Sequence, residues 1–109
     1  MRYEIFETLE EQEEGLQHRP SIEADTVFVF PLIRAGALFH SRNVAEPFDL
    51  AFVSERGEVL LIRTLTPTEE TMVAPEGTWM AMESKAGLLF RMGFQPGALV
   101  DPLMGRADE

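Results

Sequence analysis

Apolar positions in this chain come in short bursts, and their period is mostly two. Residues 1–7 alternate, with Tyr3 and Ile5 on one side and Glu4 and Phe6 on the other, which predicts a short strand. Thr8 followed by Glu11 has the spacing of a capping box, so a short helix is expected from Leu9 to Leu16. Its wet side carries Glu10, Glu11, Glu13 and Glu14, and acidic residues in a first turn suit the helix dipole. Thr26 to Phe30 is apolar on both faces and predicts a strand buried on two sides, stopped by Pro31. Strands follow at Ala37–His40 and Leu50–Val53. Glu55-Arg56-Gly57 is turn chemistry, and Glu58–Leu65 completes a hairpin.

The segment from Thr66 to Gly77 holds Pro67, Pro75 and Gly77 and is expected to be a long, mobile surface connection. Thr78–Glu83 predicts a strand, and Lys85–Met92 a short helix closed by Gly93 in the left-handed conformation. After the Pro96-Gly97 turn, Ala98–Val100 is a last short strand, and residues 101–109 form a polar tail expected to fray. The pattern gives about seven short strands with one or two short helices. The fold class is therefore mainly β: a compact single-domain barrel or sandwich over residues 1–100.

Length agrees with that. A chain of 109 residues is one domain, and one of this size buries roughly two-thirds of the surface its unfolded form exposes. Charge changes the picture more. Nine basic against nineteen acidic residues leave −10, a surface that repels phosphate backbones and anionic lipid. Neither nucleic acid nor a membrane is expected as a partner, and no apolar run approaches the ~18 residues of a membrane helix. Cysteine is absent, which removes disulfides, thiolate nucleophiles and cysteine-ligated metal centres. Met1 to Glu7 lacks an apolar signal core, so a cytoplasmic location is the expectation.

The chain contains no phosphate loop, dinucleotide fingerprint, nucleophile elbow or zinc-protease helix motif. His18 and His40, with Asp49 or Glu83, match no standard metal spacing, so neither a metal nor another cofactor is expected. The methionines, Met80 and Met82 among them, suit core filling. The segment from Phe39 to Asp49 is the most informative. Arg42 offers a planar fork for a carboxylate or phosphate, Asn43 both donates and accepts, and Asp49 orients Arg42 or acts as a base. The same residues also fit a structural network in which Asn43 and Asp49 satisfy loop backbone groups and Arg42 pairs with Asp49.

In order along the chain come Glu4, Gly15-Leu16 with Arg19, Val27-Phe28-Val29-Phe30-Pro31, and Arg42-Asn43 with Pro47-Phe48-Asp49. Phe52, Gly57-Glu58-Val59, Pro67, Met82-Glu83, Ala86-Gly87, Gly93 and Pro96-Gly97 follow. Over residues 3–100 this order resembles the domain of unknown function 192 family, also called the uncharacterised protein family 0127. The chain departs from the family pattern at Gln17, where methionine is usual, at His40 and Ser41 in place of Trp-Met, and at Arg42 in place of lysine. Val44 stands in place of threonine and Ala98 in place of aspartate. Arg19, Asn43, Asp49 and Glu83 match it. The resemblance implies a compact β barrel or sandwich and no settled activity, and many relatives carry a secretion signal.

Three functions follow as expectations. The first is a non-catalytic binding module for a small anionic ligand, with Arg19, Arg42 and Asn43 as donors and Asp49 and Glu83 as orienting acceptors. The second is a protein–protein interaction module using the acidic helix or an open strand edge. The third, with least behind it, is a hydrolase using Asp49 or Glu83 as base and Arg42 to stabilise an anion. The oligomeric state is not encoded in any of these patterns.

Overall fold

A computed structural model of the protein describes residues 1–100, and the expected frayed tail at 101–109 lies outside the described residues. Seven strands, β1 (Arg2–Ile5), β2 (Thr26–Pro31), β3 (Leu38–His40), β4 (Phe48–Ser54), β5 (Val59–Leu65), β6 (Thr71–Val73) and β7 (Thr78–Lys85), are joined by two short helices, α1 (Leu9–Glu14) and α2 (Leu88–Arg91). Five strands form one sheet in the order β1-β2-β7-β4-β5, and β3 pairs with β6 in a separate ribbon. The sheet stays open, so of the two architectures expected the sandwich-like one is present and the closed barrel is not.

Both faces of the sheet are covered, which explains why its inner strands are apolar on successive residues. On one face Phe28, Phe30, Phe48, Leu50 and Phe52 pack with Leu16, Val44 and Met72. Edge-on ring contacts at 5.3 Å from Phe30 to Phe39 and from Phe39 to Phe52 tie β3 down onto this face. On the other face Val27, Val29, Val53, Val59, Met80 and Met82 pack against Leu88, Leu89 and Phe94. Met72, Met80 and Met82 are thus core residues, as their apolar neighbours in sequence suggested.

The capping box forms as expected: the Glu11 N–H donates to Thr8 Oγ1 at 3.0 Å, and the Thr8 N–H to Glu11 Oε1 at 3.1 Å. The helix then stops at Glu14, short of Leu16, because Gly15 takes φ +53 and turns Leu16 into the core. Gly57 sits in the β4–β5 turn at φ +95, and a Cβ there would fall on the Val100 carbonyl oxygen.

Several elements differ from the sequence pattern. The supposed long connection at 66–77 contains β6, whose Met72 is buried, and Ala74, just after the strand, is buried as well. Three residues are too few for alternation to register, and their partner strand β3 lies far away in sequence. Its entry is held by the Ser41 N–H donating to the Glu70 carbonyl at 3.0 Å and the Glu70 N–H donating to Ser41 Oγ at 2.8 Å. Strand β7 runs on to Lys85, so α2 begins at Leu88. Ala98–Val100 contributes a single bridge, Glu58 to Leu99, and no full strand. β1 and β2 pair in parallel around α1, a pairing that local pattern does not disclose.

Asp49 of β4 is fully buried on the α2 face. Its carboxylate accepts from the Gly87 N–H at 2.8 Å, the Leu89 N–H at 3.2 Å and the Thr64 hydroxyl at 2.8 Å. It thereby ties the start of α2 to the middle of the sheet. Asp49→Ala leaves the buried Leu89 N–H and the half-buried Gly87 N–H without their acceptor, while the exposed Thr64 hydroxyl can turn to water, and is expected to lower unfolding free energy by about 2 kcal/mol. Urea denaturation measures this, and a loss under about 0.5 kcal/mol would show that the donors find other partners.

Candidate functional site

The central strand of the sheet, β7, carries a carboxyl where its neighbours carry large apolar groups. Glu83 is flanked by Phe28 on β2 and Leu50 on β4, both fully buried, and is itself only 4% exposed. It forms the floor of a cavity of about 370 Å³ on the face covered by α1. Phe30, Phe39, Phe48, Leu16, Ile33 and Val44 make the apolar walls. Gln12, Gln17 and His40 add polar groups, and the exposed Leu9, Glu13, Glu14 and Leu38 stand at the mouth.

The roof is fixed by polar contacts from a helix too short to fix itself. Gln12 donates to the Phe6 carbonyl at 2.9 Å, holding α1 against the sheet edge. Asn43 takes the left-handed conformation at φ 64, which few residue types tolerate. Its side-chain amide donates to Gln17 Oε1 at 3.1 Å, and its carbonyl accepts from the His18 N–H at 2.8 Å. The 41–44 turn and the end of α1 are thereby clasped together beside the cavity. Glu46 accepts from Lys85 Nζ at 2.8 Å and from the Ile22 N–H at 3.2 Å. The Lys85 bond is the main reason its carboxyl titrates below the usual glutamate range.

Of the five candidate residues, the fold brings two into one neighbourhood. The Arg19 guanidinium lies 4.8 Å from the centroid of the Phe28 ring, next to Glu83 in the sheet, and 5.8 Å from that of Phe6. Its own ion pairs are with Glu23 at 3.3 Å and Glu4 at 3.7 Å. Arg42 points elsewhere: its side chain is 60% exposed, and Nε pairs with Glu69 at 3.3 Å. Asn43 is part of the clasp. Asp49 is on the opposite face of the sheet under α2. Arg19, Arg42, Asn43, Asp49 and Glu83 therefore do not form one cluster.

No hydrogen bond or ion pair from a described residue reaches the Glu83 carboxyl, and its electrostatic partner is Arg19. Burial raises its pKa from 4.5 to about 8, and the Arg19 charge offsets only part of that. The asymmetry is one of solvent: Arg19 is a partly exposed charge shared with Glu4 and Glu23, while Glu83 is only 4% exposed and meets solvent only through the cavity. The other wall residues were invisible in local sequence, although Gln17, His40 and Val44 are three of the positions where the chain departs from the family pattern. Among the described residues no group of three or more His, Asp or Glu side chains is placed to hold a metal ion. No helix among them is long and apolar enough to cross a membrane.

Glu83 makes stability fall as pH rises. Below pH 4.5 the group is protonated folded and unfolded and has no effect. Between 4.5 and about 8 the unfolded chain ionises first, at a cost to the folded state of ~1.4 kcal/mol per pH unit. Glu11 and Glu46 have lowered pKa values, so their stabilisation is lost only as pH falls below that window. Urea midpoints measured from pH 5 to pH 8 are expected to decline, and Glu83→Gln is expected to flatten the profile. A wild-type profile already flat over that range would refute the burial of an uncompensated carboxyl.

Comparison with known proteins places this geometry in a family without assigned chemistry. A crystal structure of a protein of unknown function from Novosphingobium aromaticivorans DSM 12444 is similar with a TM-score of 0.79 and 29% identity, covering 91% of this chain and 73% of that one. A protein from Sinorhizobium meliloti 1021, provisionally described as a transcription regulator, is similar with a TM-score of 0.78 and 22% identity, covering 91% of this chain and 79% of that one. No curated protein matches the chain. The family model DUF192, described as "Uncharacterized ACR, COG1430", matches residues 1–102, and the chain belongs to that uncharacterised family.

Proposed function

We propose that the protein is a non-catalytic binding module whose small ligand sits in the cavity beneath α1. The observation that carries this reading is the Glu83 carboxyl, set in the central strand on a residue only 4% exposed, lining the cavity and accepting no hydrogen bond from a described residue. Among the described residues no buried side-chain polar atom lacks a partner, so the Glu83 oxygens keep access to the cavity, where a bound molecule can reach them. A volume of about 370 Å³ lies in the range of small-molecule pockets, which combine apolar walls with few polar anchors. The departures from the family pattern at Gln17, His40 and Val44 fall on these walls, as expected if relatives share a floor and differ in ligand.

Catalysis has less support. No serine, threonine, lysine or tyrosine lines the cavity to act as a nucleophile beside Glu83. An anionic ligand has less support than the three expected donors suggested, because Arg42 is engaged by Glu69, Asn43 by Gln17, and Arg19 by Glu4 and Glu23. Support for a protein partner at α1 is limited to the acidic residues of that helix and the exposed Leu9. DNA binding, which the description of the Sinorhizobium protein brings to mind, runs against a net charge of −10.

A fragment and metabolite screen by thermal shift, followed by amide NMR, tests the reading. A ligand at about 100 times its dissociation constant adds ~2.7 kcal/mol, which is about ten degrees or more for a domain of this size. Hits are expected to perturb amides of residues 12–17 and 37–44, to weaken in Glu83→Gln and to persist in Arg42→Ala. Hits that map elsewhere, or a screen with none, would remove the cavity as the functional site.

A further inference from the structure

The chemistry of the cavity also narrows its occupant. Glu83 accepts no hydrogen bond from a described residue, and in its ionised form it offers two acceptor oxygens to the cavity, which a donor of positive charge satisfies best. Phe30, Phe39 and Phe48 line the same cavity, and aromatic rings attract cations at their faces. The mouth carries Glu13 and Glu14, and no arginine or lysine lines the cavity. Arg19, the nearest guanidinium, is committed to Glu4 and Glu23 outside it. The protein's overall charge of −10 draws cations and repels anions over distance.

We propose that the cavity takes a small organic ammonium, a primary amine on an apolar body about the size of one ring, with its nitrogen on Glu83 and its body among the phenylalanines. The proposal rests on the cavity being a ligand site at all and adds the class of ligand. Seating the ammonium is an exchange in which every proton is accounted for. The neutral Glu83 carboxyl gives its proton to bulk water, and the carboxylate left behind accepts hydrogen bonds from the ligand's NH3⁺. The charged group that acts on Glu83 is Arg19 after α1, and the other titratable groups lining the cavity are Glu13 and Glu14 on α1 and His40 on β3. His40 is the imidazole on the cavity wall, and His40→Gln serves as the control for it.

Three probes of matched shape separate the outcomes: phenethylamine, 2-phenylethanol and 3-phenylpropionate, measured by calorimetry and amide NMR on the intact chain. Phenethylamine is expected to bind about tenfold more tightly than the alcohol, with the propionate weakest. Calorimetry at pH 7 in buffers of different ionisation heat is expected to find close to ~1 proton released per amine bound, and none for the alcohol. The release should survive in His40→Gln. Glu83→Gln should erase both the preference and the release while the alcohol still binds. If the alcohol or the propionate binds the cavity as well as the amine, the site stands and the ammonium proposal falls. Amine preference that survives in Glu83→Gln, or amine binding without proton release, also overturns it. If no probe binds, the ammonium proposal fails, and the library screen decides separately whether the cavity is a site.

Discussion

A sheet apolar on both faces has to be covered on both, and this chain has only two helices of six and four residues with which to do it. At 1.5 Å per residue, α1 spans about 9 Å, well short of the width of a five-stranded sheet. The rest of that face is covered by the β3–β6 ribbon, the 41–44 turn and Leu16, pieces that meet at their edges without interlocking as one long helix would. The cavity is what remains between them. Its roof depends on few contacts: the capping box of α1, the Gln12 bond to the sheet edge, and the Asn43 clasp.

The two buried carboxylates show how the faces differ. Asp49 and Glu83 sit on neighbouring strands, one register step apart, and point to opposite sides of the sheet. Asp49 meets the first N–H groups of α2 and the Thr64 hydroxyl, so its charge is matched by donors and serves as a bolt between sheet and helix. Glu83 meets phenylalanine and leucine. Among the described residues only the Arg19 charge offsets part of its burial, which raises its pKa to about 8 and favours the neutral acid form. One acid is used by the fold and the other is left to whatever enters the cavity.

The departures from sequence expectation have the same origin. Arg42, Asn43 and Asp49 lie close in sequence and suggested one polar site, but Asn43 ends a turn and Asp49 is inside β4, where alternate side chains point to opposite faces. Nearness along a strand is no guide to nearness in space. Arg19 and Glu83 are far apart in sequence and meet because β2 pairs with β7 and Arg19 folds over Phe28. The resemblance carried both residues. Their relation to each other depended on the pairing.

Local chemistry by itself marked strands at 26–30, 50–53 and 58–65, which the fold extends or trims to 26–31, 48–54 and 59–65, together with the α1 cap, the Gly57 turn and the mainly β class. Period, capping and left-handed turns are written within a few residues of one another, so a single segment is enough to read them. The sequence also set the large negative charge and the absence of cysteine chemistry. Tertiary structure alone decided that β1 joins in parallel, that 71–73 is a strand, that the sheet stays open, and that Asp49 and Glu83 face opposite sides. It also decided that Glu83 has no donor. These depend on which distant segments pack together, and burial and pKa follow from those neighbours, since an isolated glutamate carries no mark of the solvent it will lose.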